Sequence, residues 1–354
     1  MKFIPLRRQA GFSLIELMIA VAVGLFMLAI IGGIYISTTR SFAATTAVTG
    51  MDENARVLFD MIGGSVRQSA FNGCGRISSV INGDTREIPV TGGIPDNWWQ
   101  NTVQPVQGVT LTSADGRFPN SHPANLIPAS SNTDVLMLVG VDSQNAATVA
   151  ADDGATITTG VGSPAFQPNQ TLLATSCQVN SFFVATGGTG GNNITHDASA
   201  NCNASLGSAC AIVSVTAAAG NPTLPIGSLI LPVVANAYYV APSQTLGKGN
   251  SLWSCTDGST CNELSNGVEN MTVFFGLDTT SRGSVDSWVP PGSVADWSQV
   301  KAIQVHLLLA TMPDASAVSA GGNTYTFNGA TYTPTDRRVY REYTAVFSIR
   351  NNMF

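Results

Sequence analysis

Two sets of residues in the 354-residue sequence could do chemistry: one acid at the edge of an apolar run, and six cysteines. Glu16 stands immediately before Leu17–Ile36, a run with no charged residue. A carboxylate at the edge of an apolar helix is costly and usually functional. At about 1.5 Å per residue the run reaches about 30 Å, the thickness of a bilayer core. Gly11 lies five positions before Glu16, and the leader ahead of it carries Lys2, Arg7 and Arg8 with no acid. Those cations would hold the leader on the cytoplasmic side. An ordinary secretory signal is cut at small residues after a shorter apolar stretch; here the run is followed by Ser37-Thr38-Thr39-Arg40. A cut between Gly11 and Phe12 would instead leave the apolar segment on the mature chain. An uncleaved signal anchor is the alternative.

The cysteines are Cys74, Cys177, Cys202, Cys210, Cys255 and Cys261. An even count in an exported chain favours disulfides. No pair has CxxC spacing, and His122, His196 and His306 are far apart, so no metal centre is expected. Short loops favour the pairs Cys202–Cys210 and Cys255–Cys261, which leaves Cys74–Cys177 by elimination.

No other constellation supports catalysis. There is no GxSxG elbow, HExxH or P-loop, and Gly247-Lys248-Gly249 lacks the spacing of a phosphate cradle. No enzyme activity and no cofactor are expected. Asp152-Asp153-Gly154 reads as a tight turn, because a calcium loop needs about 6–8 oxygen ligands. His306 falls on the opposite strand face from Ile303, Val305 and Leu307. Trp98-Trp99 is either an exposed interaction site or an anchor in the core. The 16 basic and 22 acidic residues give a net charge of −6. Without the leader, 13 basic residues face 22 acidic ones, a net of −9. No Lys or Arg lies between Arg117 and Lys248, which disfavours binding to a nucleic acid.

The elements that must position these residues divide the chain at 1–11 (leader), 12–36 (membrane or filament-core helix), 37–70 (amphipathic continuation) and 71–354 (a β-rich head outside the cytoplasm). Charged residues make up only 11% of the chain, which suits such a head. Met51, Ala55, Leu58, Phe59, Ile62 and Val66 follow helical spacing. Asp52 and Glu53 are placed to pair with Arg56. Gly32-Gly33 and Gly63-Gly64 are expected bends or ends. Beyond Ala70 the pattern predicts strands at 134–141, 181–185, 211–215, 228–234, 237–240, 268–277, 300–310, 324–327 and 339–349. In the last of these Val339, Tyr343, Ala345, Phe347 and Ile349 share the buried face. The Ser/Thr/Asn/Gly-rich stretch 143–209 is expected to be irregular loop or an inserted subdomain.

The string Gly11-Phe12-Ser13-Leu14-Ile15-Glu16-Leu17 closely resembles the type III signal of type IV pilins and type II secretion pseudopilins. That resemblance implies a prepilin peptidase that cuts after Gly11 and methylates the amine of Phe12. It also implies that Glu16 pairs with the N-terminal amine of a neighbouring subunit, as a carboxylate in an apolar bundle requires.

Three further segments resemble the PilW family of minor pilins: Asn54-Ala55-Arg56 through Phe71-Asn72-Gly73-Cys74; Gly267-Val268-Glu269-Asn270-Met271-Thr272-Val273-Phe274-Phe275-Gly276 with Trp297 to Ile303; and Asp336-Arg337-Arg338 to Asn351. The family implies an α+β fold, a long pilin helix packed on a large antiparallel head. It implies a minor pilin that primes the filament and sits at or near its tip. Its partners would be other minor pilins, the major pilin and a large tip adhesin. The chain would reside in the inner membrane, head in the periplasm, before assembly. The alternatives are a GspJ-like minor pseudopilin of a type II secretion system, or a membrane-anchored periplasmic binding protein. Glu16 argues against the last, since a simple anchor has no need of it.

Overall fold

The computed structural model describes residues 13–71, 90–91, 94–95, 98–101, 104–119, 121, 126–128, 131–176, 180–188, 192–197, 200–201, 223–246, 249–256, 260–312, 324–336 and 338–350. α1 (Leu14–Gln68) is a single 55-residue helix, about 80 Å long at 1.5 Å per residue. Its most apolar stretch has a mean hydropathy of 2.8 and buries nothing. A core helix of a soluble protein would cover that surface. By length and composition this one is apolar enough to cross a membrane. The second half buries Met51, Ala55, Leu58, Ile62 and Val66, a stripe at 3–4-residue spacing that faces the head. Phe59 packs half-buried beside it.

The helix continues through both glycine pairs, so neither is a helix end. Gly63 is instead a contact residue: a Cβ there would lie 2.7 Å from Phe347 Cε1. Gly64 has open space around it. At the C-terminus Ser69 Oγ donates to Val66 O at 2.8 Å. Ala70 then turns the chain at φ 58°, and its amide donates to Val139 O at 3.1 Å. Ser69 thereby bridges to Gly140, where a side chain would run into the Gln68 carbonyl.

The strands, in chain order, are β1 (Val90–Thr91), β2 (Ile94–Pro95), β3 (Val106–Leu111), β4 (Thr133–Val141), β5 (Ala147–Asp152), β6 (Thr156–Thr159), β7 (Thr171–Thr175), β8 (Asn180–Val184), β9 (Asn193–Thr195), β10 (Leu229–Pro242), β11 (Asn250–Cys255), β12 (Cys261–Asn266), β13 (Val268–Leu277), β14 (Ser287–Val289), β15 (Val300–Ala310), β16 (Tyr325–Phe327), β17 (Ala330–Tyr332) and β18 (Tyr340–Ser348). Among the described residues every strand pairing is antiparallel. β10 is the spine of a ten-stranded sheet. Its first residues pair with β5 and β7, and the remainder pairs with β4 on one side and β11 on the other. A second sheet has the order β14-β13-β15-β18.

The main core lies where α1 meets both sheets. It joins Leu58 and Ile62 to Leu136 and Tyr238 from the large sheet and to Met271, Val273, Val305 and Leu307 from the small one. β4 is buried along all nine residues because its other face carries a second core, with Trp98, Phe118 and Tyr239. The hairpin β16–β17 covers the outer face of the small sheet at one end, over Leu308 and Tyr340. The fold is therefore α+β, a long apolar N-terminal helix with its second half packed on an antiparallel head.

Several expectations need correcting. The strands expected at 228–234 and 237–240 are one continuous β10. Of the two alternatives for 143–209, the described residues hold β5 through β9 rather than irregular loop alone. Tyr340, expected on the exposed face of the last strand, is buried under the β16–β17 hairpin. The strand expected at 211–215 lies outside the described residues.

Candidate functional site

Glu16 sits in the first turn of α1. Ser13 is the N-cap, and its amide donates to Glu16 Oε2 at 3.1 Å, closing a capping box. The carboxylate thus also lies in the favourable field of the helix N-terminus. It remains exposed, at the head of a surface made only of exposed apolar side chains such as Leu17, Leu25, Phe26 and Ile31. Gly11 and Phe12 lie outside the described residues.

The helix is latched to the head by polar contacts at two levels. Asn54 Nδ2 donates to Asn266 O at 3.3 Å, and its Oδ1 accepts from Ser265 Oγ at 2.7 Å. Ser65 Oγ shares a hydrogen bond of 2.8 Å with the Tyr238 hydroxyl. Asp52 does not pair with Arg56 as its spacing suggested. It accepts from the Tyr343 hydroxyl and from Arg341 Nη1, the latter at 2.9 Å. The Tyr343 hydrogen bond, with the Arg341 guanidinium, holds the Asp52 carboxyl below its ordinary range. A ring contact between Phe59 and Phe347, with centroids 6.2 Å apart, fills the space between these levels.

Four acids, Glu269, Asp336, Asp134 and Glu263, stiffen the head behind the latch. Glu269 is fully buried in β13 and ion-paired with Arg338. Burial pushes its carboxyl up despite the guanidinium beside it. Arg338 also donates from Nε to Asp336 Oδ2 at 2.7 Å, and the Tyr340 hydroxyl donates to the same oxygen at 2.6 Å. Asp134 Oδ2 accepts from the Val273 amide at 2.7 Å and ties the two sheets together. Its burial pushes the carboxyl up to about 6. Glu263, by contrast, is held down to about 2. Burial raises it, but donors from Ser251, Ser243 and Thr245 outweigh that effect.

The remaining sequence candidates fall into structural roles. His306 Nδ1 contacts Glu342 Oε1 at 2.6 Å and Thr344 Oγ1 at 3.1 Å. Both partners meet the same ring nitrogen, so no relay from hydroxyl through imidazole to acid exists. Trp98 is a core residue, with its ring centroid 6.0 Å from that of Phe118. Asp152 and Asp153 cap the turn from β5 to β6 by accepting from the amides of Gly154, Ala155 and Thr156. Among the described residues no group of His, Cys, Asp or Glu could hold a metal ion. Cys255 and Cys261 form a disulfide across the β11–β12 hairpin. Cys74, Cys177, Cys202, Cys210 and His122 lie outside the described residues.

Sequence reasoning missed the parts played by Asp134, Glu263, Glu269, Arg338 and Arg341. One signal was legible: Glu269 is the single charged residue of a mostly apolar strand, and a charge in such a place needs a partner.

Comparison with protein families gives two matches. The family described as Type IV Pilus-assembly protein W matches residues 237–351, from the second half of β10 through β18. The prokaryotic N-terminal methylation motif matches residues 6–32, which include Gly11, Phe12 and Glu16. No curated protein and no solved structure gives a significant match. The methylation motif implies processing by a prepilin peptidase and assembly with other pilins, and it agrees with membrane anchoring by the apolar half of α1. With the motif at one end of the chain and the assembly-protein domain at the other, the two matches support a type IV pilin of the PilW family, over residues 6–32 and 237–351.

Proposed function

We propose that the chain is a minor pilin that primes type IV pilus assembly and sits at or near the filament tip with other minor pilins. The observation that carries this reading is the division of labour along α1. Its second half is latched to its own head, while its first half presents Glu16 and an uncovered apolar surface. Lipid covers that surface before assembly, and other pilin helices cover it afterwards. In this reading the prepilin peptidase cuts between Gly11 and Phe12, and the methylated amine of one subunit meets the Glu16 carboxylate of the next. The head stands in the periplasm until the subunit is extracted. The head also argues for a terminal position. In a helical array each subunit has neighbours above, below and beside it, and a head with two sheets and two small hairpins is bulky for close stacking. At the end of the filament some of those neighbours are missing, which leaves room for a large tip adhesin.

Quantitative mass spectrometry of sheared filaments, with immunogold labelling, tests the position. A few copies per filament with label at one end is the expected result. Abundance close to that of the main pilin, with label along the shaft, would overturn it.

A further inference from the structure

A groove of about 740 Å³ opens between α1 and the head, lined by Phe42, Ala43, Ala47, Met51, Leu264 and Met312 among others. The Asn54 latch to Ser265 and Asn266 lies at its upper end. The lower rim is bare: Phe42 is 74% exposed and Met312 46%. Leu246, 40% exposed, belongs to the same end of the head, because its amide donates to Ser243 Oγ, which in turn donates to Asn266 Oδ1.

The position of this rim along the helix names what it meets. Phe42 follows the end of the apolar run at Ile36 by six residues, about 9 Å of helix. The headgroup layer outside the hydrocarbon is about 5–8 Å thick on each side. If Leu17–Ile36 spans the hydrocarbon, Arg40 stands among the lipid phosphates and Phe42 at the outer edge of that layer. Aromatic and basic residues are the types that anchor a chain there. Met312 lines the same groove as Phe42 from the head side, and the Asn54 latch holds the two walls of that groove together.

We propose that this end of the head rests on the phospholipid surface before the subunit leaves the membrane, with Phe42 and Met312 in contact with lipid. The proposal depends on the membrane reading of the apolar run given above. It gives the unassembled subunit a fixed head orientation, with the groove directed at the bilayer.

Site-specific photocrosslinking of the full chain in phosphatidylethanolamine–phosphatidylglycerol vesicles tests it. Benzoylphenylalanine would replace Leu25, Phe42, Met312 or Val161 in turn. Leu25 lies inside the apolar run. Val161 follows β6, next to Gly160, which bonds to Thr148 opposite Leu229, the far end of β10 from the groove. Lipid adducts at Leu25, Phe42 and Met312 but not at Val161 are expected. Adding Met312→Glu should lower the yield at Phe42 severalfold. Adducts at Leu25 without any at Met312, or Met312 adducts only to a second copy of the chain, would overturn the proposal. No lipid adduct at Leu25 would overturn the membrane reading itself.

Discussion

Gly63 of α1 and Phe347 of β18 meet at a separation that only a glycine allows: a Cβ on Gly63 would lie 2.7 Å from Phe347 Cε1 and 3.0 Å from Cδ1. The helix can therefore lie close against the last strand, and Phe59 closes over the same ring.

The contrast with Gly64 makes a paired prediction. Gly63→Val should destabilise the head by about 1–3 kcal/mol, because the added atoms force Phe347 out of place. Gly64→Ala should stabilise by up to about 1 kcal/mol through helix propensity, since nothing lies within 4 Å. Thermal unfolding of both full-length variants in detergent checks this. Equal effects at the two positions would contradict the contact.

Arg338→Met should destabilise strongly, by about 3–5 kcal/mol, because it leaves the fully buried Glu269 without its cation. The double variant Glu269→Leu with Arg338→Met should recover a large part of that loss. Denaturant unfolding of the two variants decides. A double variant as weak as the single one would show that the pair is not what matters.

How much of this was visible in the sequence depended on the range of the interaction. The stripe Met51, Ala55, Leu58, Ile62 and Val66 was legible because helical periodicity is local. β13 and β15 were legible to the residue, because long apolar runs bounded by turn residues leave little choice. β12, Cys-Asn-Glu-Leu-Ser-Asn, carries no strand signal of its own; it is extended because β11 pairs with it and its Glu263 gathers hydroxyl and amide donors. β5, β6 and β7 are rich in Ala and Thr and were hidden for the same reason. Asp52 has a spacing partner in Arg56, yet it bonds Arg341, 289 residues away, which no window could reveal. Glu16 stood out without any fold, as a single acid against an apolar run, and its proposed role was legible from that alone.

Asp134 should make stability depend on pH. Its carboxyl is raised from 3.8 to about 6 by burial, so the native state binds the proton more tightly than the unfolded chain. The resulting stability is full below pH 3.8 and is lost as pH rises through about 6. Asp134→Asn keeps an acceptor for the Val273 amide and removes the charge. It should match the parent near pH 4 and exceed it by about 1–3 kcal/mol at pH 7. Unfolding midpoints across pH 4–7 test this; a variant weaker than the parent at pH 7 would contradict it.

Mass spectrometry of the mature chain should find methylated Phe12 at its N-terminus. Peptide mapping without reduction should recover Cys255 joined to Cys261, as the structure has it. The same map should show the proposed pairs Cys202–Cys210 and Cys74–Cys177. A chain that begins at Met1, or after Ile36, would contradict the processing. Cys74 found free or joined to another subunit would contradict the third bridge.

The account rests above all on Glu16 as the residue that recruits the helix into the filament. The apolar run alone suffices for insertion, whereas in the proposed reading the carboxylate answers the amine of a neighbouring Phe12 where water is absent. The direct measurement is the ratio of filament-bound to membrane-bound protein for Glu16→Ala against the parent, read by quantitative mass spectrometry of sheared filaments and washed membranes. The predicted result is unchanged membrane abundance with filament abundance lower by about tenfold or more. Equal filament abundance in the two proteins would contradict the account.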